Sequence, residues 1–511
     1  ILAQARRRLE RPEPLAQRAR ARRRHLPSGA AMPGRAGRTQ CVAAPALLAA
    51  VSAARPAPEA SVLVLGGNGF LGAAFVEELL DSAPPPSVHV LNRGSEYWDS
   101  AARLSRAEQT VCDREEIREC HGLRRFYDYV VDFTAVNPRV VTAALEVLVD
   151  RVGLYILVST AAVYIPSAPT MFGALREEDA LLKPHSSWIR KLRRELLEGA
   201  DNYARLKLAA EEAAFAFSDR MNVTALRLPY VVGERDTTHR TAMYHLWLRL
   251  ERPLLPWFAG DTPITFIGVH AVNSAMRFLA EAAPRTAIAG RAFNAALPPV
   301  SLRQVLGVVK EAVGQEAAAV VEHRPLGSPM AYVYDAVRFA GLFRFVLDDG
   351  RLRSLGWQPP AHEEDALQAV RRAAQFAERE LIRTRRSRYP DEQLELAQLF
   401  LEYVGRAERP EAQALIGRKL GIDVSQLARE LEDEKGPAAA ALEPLLWLLL
   451  SSRSALSLAA ALLLGGAALL SRGLSLATLG LGGCYVLGLP GTAAMPLRWE
   501  SRRLGEMLGM A

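Results

Sequence analysis

Cysteine is scarce in this chain. Four residues in 511, Cys41, Cys112, Cys120 and Cys484, include no CxxC pair, and the step from Cys112 to Cys120 fits none of the common zinc patterns. Neither a disulfide framework nor a structural metal is expected. Basic charge is missing from the body of the molecule. The formal net charge is +7, but residues 1–40 hold eleven Arg against two Glu, which leaves about −2 for the remainder. The net charge therefore gives no ground for a basic nucleic-acid-binding face, and no nucleic-acid partner is expected. Internal repeats are absent as well. With 50% hydrophobic and 23% charged residues the chain is not of the disordered class, and 511 residues are too many for one ordinary domain.

Long apolar runs are lacking until the end. Residues 454–471 and 474–497 then carry no charge, and each is close to the ~20 residues needed to cross a bilayer. Residues 437–511 are read as a transmembrane hairpin, with a soluble Ala/Leu-rich helical cap as the alternative, so the expected localisation is membrane-associated. At the other end, "MPGRAGRTQ" from Met32 and the following "CVAAPALLAAVSAA" read as a secretory signal or organellar transit segment. An unstructured Arg/Ala tail is an equal alternative. Residues 1–58 are set outside the fold.

Between these ends, apolar β-rich runs alternate with helical stretches. "SVLVL" (61–65), "SVHVLNRG" (87–94), "YDYVVDFTA" (127–135), "LYILVST" (154–160) and "NVTALRLPYVVG" (222–233) read as strands; "AAFVEELLDSA" and "VVTAALEVLVD" (140–150) read as helices. That alternation predicts an α/β fold with a doubly wound parallel sheet. Residues 59–380 are taken as this domain, including a small irregular substrate region after about 235. Residues 381–436 are taken as a helical extension.

The first strand runs into "GGNGFLG", which places Gly66, Gly69 and Gly72 in a G-x-x-G-x-x-G pattern with Phe70 and Leu71 at the start of a helix. Glycines there let the backbone approach a pyrophosphate, and the helix N-terminus offers free N–H groups to it. The second strand ends in Asn92-Arg93-Gly94, where an NAD site usually has an acid. Arg93 can instead hold a 2′-phosphate, so NADP is the expected cofactor and NAD the alternative. Asp113 and Arg114 are candidates for the adenine. Phe133, Thr134 and Ala135 end a strand where the dinucleotide would pass.

"GGNGFLG", "LNRG", "STAAVY" (159–164), "YARLK" (203–207) and "LRLPYVVG" occur in the order seen in the extended short-chain dehydrogenase/reductases. The chain resembles their NAD-dependent epimerase/dehydratase-like subgroup over roughly 60–375. The resemblance implies a Rossmann fold and a catalytic set of Thr160, Tyr203 and Lys207. Tyr203 would be the general acid/base, and Lys207 would lower its pKa and bind the nicotinamide ribose. Thr160 would hold the substrate oxygen, and Pro229 would lie against the cofactor. It implies hydride and proton transfer on a nucleotide-sugar-like or other carbonyl/hydroxyl small molecule, as an epimerase or a reductase. Acidic residues that dehydratases carry after the Thr are here Ala161 and Ala162, against a 4,6-dehydratase. Asp236, His239 and Arg240 are candidate substrate contacts. The competing reading is a non-catalytic NADP-binding structural or RNA-associated protein of the same fold.

Overall fold

The computed structural model describes residues 60–165, 173–180, 198–251, 253–256, 260–323, 346–363, 365–384, 387–404 and 409–433. The expected hairpin at 437–511 and the segment 1–58 lie outside them. Among the described residues no helix is long and apolar enough to cross a membrane.

Seven strands form one sheet: β1 (Ser61–Leu65), β2 (Ser87–Asn92), β3 (Glu108–Val111), β4 (Tyr129–Asp132), β5 (Tyr155–Thr160), β6 (Val223–Leu228) and, past a short β7 (Tyr230–Val232) and β8 (Phe266–Gly268), β9 (Arg291–Asn294). Their order is β9-β6-β5-β4-β1-β2-β3, and every pair is parallel. β1 is the centre from which the chain winds first one way and then the other. Val62 to Leu65 are fully buried, as are Tyr155 to Leu157. Apolar side chains on both faces of these strands require cover on both sides, and helices supply it.

Helix α1 (Phe70–Leu80) follows β1, α2 (Pro138–Leu148) follows β4, and α3 (Glu198–Phe215) precedes β6. Asn137 caps α2 through its Oδ1, which accepts from the Arg139 amide, and Pro138 fills the first turn, where no amide donor is needed. Beyond β7 come α4 (Arg240–Trp247), α5 (Val269–Arg277) and α6 (Leu302–Val313). The C-terminal part adds α7 (Ala366–Ala377), α8 (Pro390–Tyr403), α9 (Arg409–Leu420) and α10 (Ser425–Asp433). Their apolar side chains belong to the same core cluster as those of β1, α1 and α4. Glu378 pins α4 to this part: its Oε2 is hydrogen-bonded to His245 Nδ1 at 3.0 Å, and its Oε1 pairs with Arg249 Nη2 at 2.7 Å. Burial alone pushes the Glu378 carboxyl up, but the His245 hydrogen bond and the Arg249 charge outweigh it and hold it at about 2.

Two sequence expectations need correction. Cys112 and Cys120 are joined by a disulfide, with Cα atoms 5.8 Å apart. A 3-10 turn at Arg114–Glu119 folds the chain back after β3 and brings the two into reach, which metal-spacing rules do not address. The run 222–233 is two strands, because Pro229 has no amide to continue the ladder. Separately, Glu177 is buried and accepts from the Asn294 amide at 2.8 Å.

Candidate active site and cofactor cleft

Doubly wound sheets bind ligands outside the carboxyl ends of their strands, where the strand order reverses. Here that point is between β1 and β4. The loop after β1 holds the glycines, and the loop after β4 holds Phe133 to Ala135. The two touch: a Cβ on Gly66 would collide with the Thr134 methyl and come within 3.7 Å of the Phe133 Cβ. Gly66 also has φ of +78°, which favours glycine.

The other two motif glycines differ in kind. A Cβ on Gly72 would strike the Gly66 carbonyl and lie 2.7 Å from the Gly67 Cα, so Gly72 lets α1 pack on the turn. Gly69, the N-cap of α1, has φ −80° and ψ −177°, which any residue adopts. A Cβ there would meet only the Gly66 oxygen, at 3.9 Å. Neither backbone conformation nor protein packing among the described residues calls for glycine at 69.

At the end of β2, Asn92 Oδ1 accepts from the Gly94 amide at 2.7 Å, and Asn68 donates to the Ser95 carbonyl. These bonds set the loop beside the glycine turn. Arg93 is exposed at its tip. Asp113 caps the following turn by accepting from the Glu115 amide at 2.9 Å. Arg114 turns inward: its Nη1 lies 2.5 Å from Asp132 Oδ1 and 2.6 Å from Thr134 Oγ1. Tyr155 also donates to Asp132. Arg114 thus holds a buried carboxylate under the cleft, and its Nε and Nη2 have no hydrogen-bond partner among the described residues. Phe70, Leu71, Phe133 and Thr134 are at least partly exposed, and Ala135 is buried.

Thr160 ends β5, and its Oγ1 accepts from the Ala162 amide at 3.2 Å. Tyr203 and Lys207 are one turn apart on α3 and both buried. No hydrogen bond reaches the Tyr203 hydroxyl from the described residues. Burial pushes its pKa up to about 12, and the opposing cation is Arg240. The expected Lys207-driven lowering of Tyr203 is therefore corrected. The Lys207 ammonium donates to the Val158 carbonyl at 3.0 Å, and burial pulls its pKa down to about 8 against the nearby Asp132 and Glu211 carboxylates. An ammonium has three donors, and one protein acceptor leaves capacity for the hydroxyls of a ligand.

Behind this set, Glu211 of α3 and Arg227 of β6 form a buried ion pair at 2.6 Å, with Ser159 donating to Glu211. Arg227 also donates to the Glu177 carbonyl at 2.7 Å and the Tyr164 hydroxyl at 3.2 Å. Sequence reasoning gave these residues no role. A Glu and an Arg inside apolar stretches are the signal it had.

The remaining candidates sit at β7 and beyond it. Asp236 Oδ1 accepts from the amide and hydroxyl of Thr238, closing a turn. Arg240 stacks over the Tyr230 ring at 5.7 Å. His239 is buried against the Trp98 ring and points at Glu392 and Glu395 of α8. Pro229 lies between β6 and β7. Trp98, Arg235 and His239 all have positive φ, which costs a non-glycine residue roughly 1–2 kcal/mol, so the surrounding contacts hold three strained positions in one place.

Residues 62–296 match the model of the NAD dependent epimerase/dehydratase family. The match covers just under half of the chain. No curated protein matches the chain. Among solved structures, a putative epimerase from Burkholderia cenocepacia is 20% identical, with TM-score 0.46, covering 63% of this chain and 98% of its own. A dTDP-glucose 4,6-dehydratase from Streptomyces venezuelae, solved with NAD and TYD, is 20% identical with TM-score 0.45, covering 62% and 97%. A UDP-glucuronic acid 4-epimerase from Bacillus cereus, solved with UDP-glucuronic acid and NAD, is 15% identical with TM-score 0.44, covering 62% and 99%. Within the epimerase-family region, β1, α1 and the glycine turn form its start and β9 its end.

Proposed function

We propose that the epimerase-family region binds NADP in the crevice between the loops after β1 and β4 and uses it on a hydroxyl or carbonyl of a nucleotide-sugar-like substrate. The observation that carries this reading is Gly69. It is a glycine that the fold itself does not require, set at a helix N-terminus where an anionic diphosphate would be pressed. NADP rather than NAD is supported by Arg93, exposed at the end of β2 with no acid beside it.

NADP, when bound, supplies the hydride acceptor and donor. The chain supplies the rest. Tyr203 stays protonated in this environment, so its hydroxyl is suited to donate to a substrate oxygen and to take the proton back in the reverse direction. Thr160 Oγ1, at the end of β5, holds that oxygen. Lys207 offers its unused N–H groups to ribose hydroxyls. The buried alanines at 161 and 162 leave no acid pair for elimination, which supports epimerisation or reduction. Within the tail, the uncharged runs 454–471 and 474–497 support membrane attachment of the whole chain. Alkaline carbonate extraction of full-length and 437–511-deleted protein tests that part.

One observation favours a second reading, a non-catalytic NADP-binding protein: the cation that opposes the burial of Tyr203 is Arg240 and not Lys207. Incubating full-length protein with NADP and a panel of UDP- and dTDP-sugars, followed by NMR of the sugars, separates the two. An altered sugar supports the enzyme. Cofactor binding with every sugar unchanged supports the non-catalytic protein.

A further inference from the structure

Far from the cofactor motif in sequence, Glu392 and Glu395 on the first turns of α8 meet His239 from the loop between β7 and α4. His239 Nε2 lies 3.2 Å from Glu392 Oε2 and 4.0 Å from Glu395 Oε2. One donor atom from each of the three residues lies within 4.8 Å of the other two. His239 is only 2% exposed. Among the described residues neither of its ring nitrogens has a hydrogen-bond partner, and Glu392 Oε2 has none either. The two groups are close enough to bond but wrongly directed for it. Buried polar atoms left in this way call for a missing partner.

We propose that His239, Glu392 and Glu395 hold one divalent cation of the zinc–manganese class, which clamps the C-terminal helical extension onto the rim of the cleft. Such ions bind imidazole nitrogen and carboxylate oxygen at roughly 2.0–2.2 Å, which puts neighbouring donors about 3.0 Å apart in octahedral and about 3.4 Å apart in tetrahedral geometry. The 3.2 Å separation falls between these, and the Glu395 oxygen stands at 4.0 Å. Two carboxylates and a divalent ion sum to zero charge, which suits a site where the His239 side chain is fully buried and that of Glu392 only 9% exposed. A nitrogen and two oxygens, with no thiolate, favour zinc or manganese over copper(I).

Neighbours orient the donors, as the outer shell of a metal site does. Glu392 Oε1 accepts from the Trp98 amide at 3.1 Å, and the Trp98 ring packs on the His239 ring with centroids 5.8 Å apart. The loop reaches the cleft at Gly233, where a Cβ would come 3.3 Å from the ring of Phe70, the first residue of α1. The ion would thus tie α8 to the segments after β2 and β7, both beside the glycine turn.

The test uses full-length protein stripped with a chelator and titrated with Co²⁺ and Zn²⁺, with metal content measured by mass spectrometry. One ion per chain is expected. Co²⁺ should give visible absorption bands that are absent in His239→Asn. Glu392→Gln and Glu395→Gln should each weaken binding tenfold or more. The Glu395 side chain is 24% exposed, so Glu395→Gln, checked by circular dichroism, serves as the variant expected to keep the fold. Wild type that binds no Co²⁺, Zn²⁺ or Mn²⁺ at one equivalent overturns the proposal, as does unchanged affinity in both Gln variants. The readout involves no nucleotide, so it stands or falls separately from the cofactor reading.

Discussion

The Lys207 ammonium donates its hydrogen bond to the Val158 carbonyl, 3.0 Å away, and not to Tyr203 one turn earlier on the same helix. A lysine held this way is poorly solvated, and burial brings its pKa from 10.5 down to about 8. The consequence for stability has a definite sign. Below pH 8 both folded and unfolded chains keep the proton, and the folded state carries a constant penalty. Between pH 8 and 10.5 the unfolded chain holds a proton the folded one has released, so stability rises with pH. Relative to Lys207→Met, wild type should gain ~3 kcal/mol across that window. Urea unfolding of both proteins at several pH values reads it. A difference that stays flat contradicts the assignment.

Tyr203→Phe removes the only atom of that side chain able to move a proton. Turnover is expected to fall by roughly 10²- to 10⁴-fold while NADPH affinity is unchanged. Steady-state kinetics beside titration calorimetry measures both. Turnover equal to wild type would remove Tyr203 from the chemistry.

Glu211→Ala strands the Arg227 guanidinium in the core and also strips Ser159 of its acceptor. Breaking a buried pair from one side costs about 3–5 kcal/mol. Replacing both residues with Met should cost clearly less than Glu211→Ala, because no unpaired charge remains. Denaturant midpoints for wild type and the two variants decide it, and equal losses would mean the pair is not the cause.

Much of the fold is legible in the sequence because the signals are local. "SVLVL" followed by glycines is a strand, a turn and a helix start, and the structure has β1 and α1 there. β3 carries no such signal. Its residues, "EQTV", are mostly exposed, and only pairing with β2 makes them a strand. The spacing of Tyr203 and Lys207 shows that they share a helix face, but not that the ammonium finds a carbonyl of β5. The approach of His239 to Glu392 joins segments distant in sequence and exists only because α8 packs beside α4. The disulfide was illegible for a related reason: a turn, not the spacing, brings Cys112 to Cys120.

That disulfide closes a loop short enough that the chain-entropy model assigns it about 2–3 kcal/mol. Cys112→Ser with Cys120→Ser should lower the melting temperature while leaving NADPH binding intact, since the bridge lies at the outer edge of the sheet beyond β3. Scanning calorimetry with and without reductant checks it. A wild-type melting temperature indifferent to reductant would speak against the bond.

Arg93→Ala should reduce the preference for NADPH over NADH without weakening NADH. Parallel titrations of the two nucleotides show it, and equal affinities in wild type would refute the assignment of Arg93 to a 2′-phosphate.

The most direct measurement is NADPH titration of Gly69→Val beside wild type, with thermal melts of both. The backbone at 69 suits any residue and a Cβ meets nothing closer than 3.9 Å, so the variant should melt close to wild type. Its side chain would stand where the diphosphate is pressed, so NADPH binding should be lost. Wild-type affinity in a folded Gly69→Val protein would contradict the account, because the space above Gly69 would then not be the cofactor's.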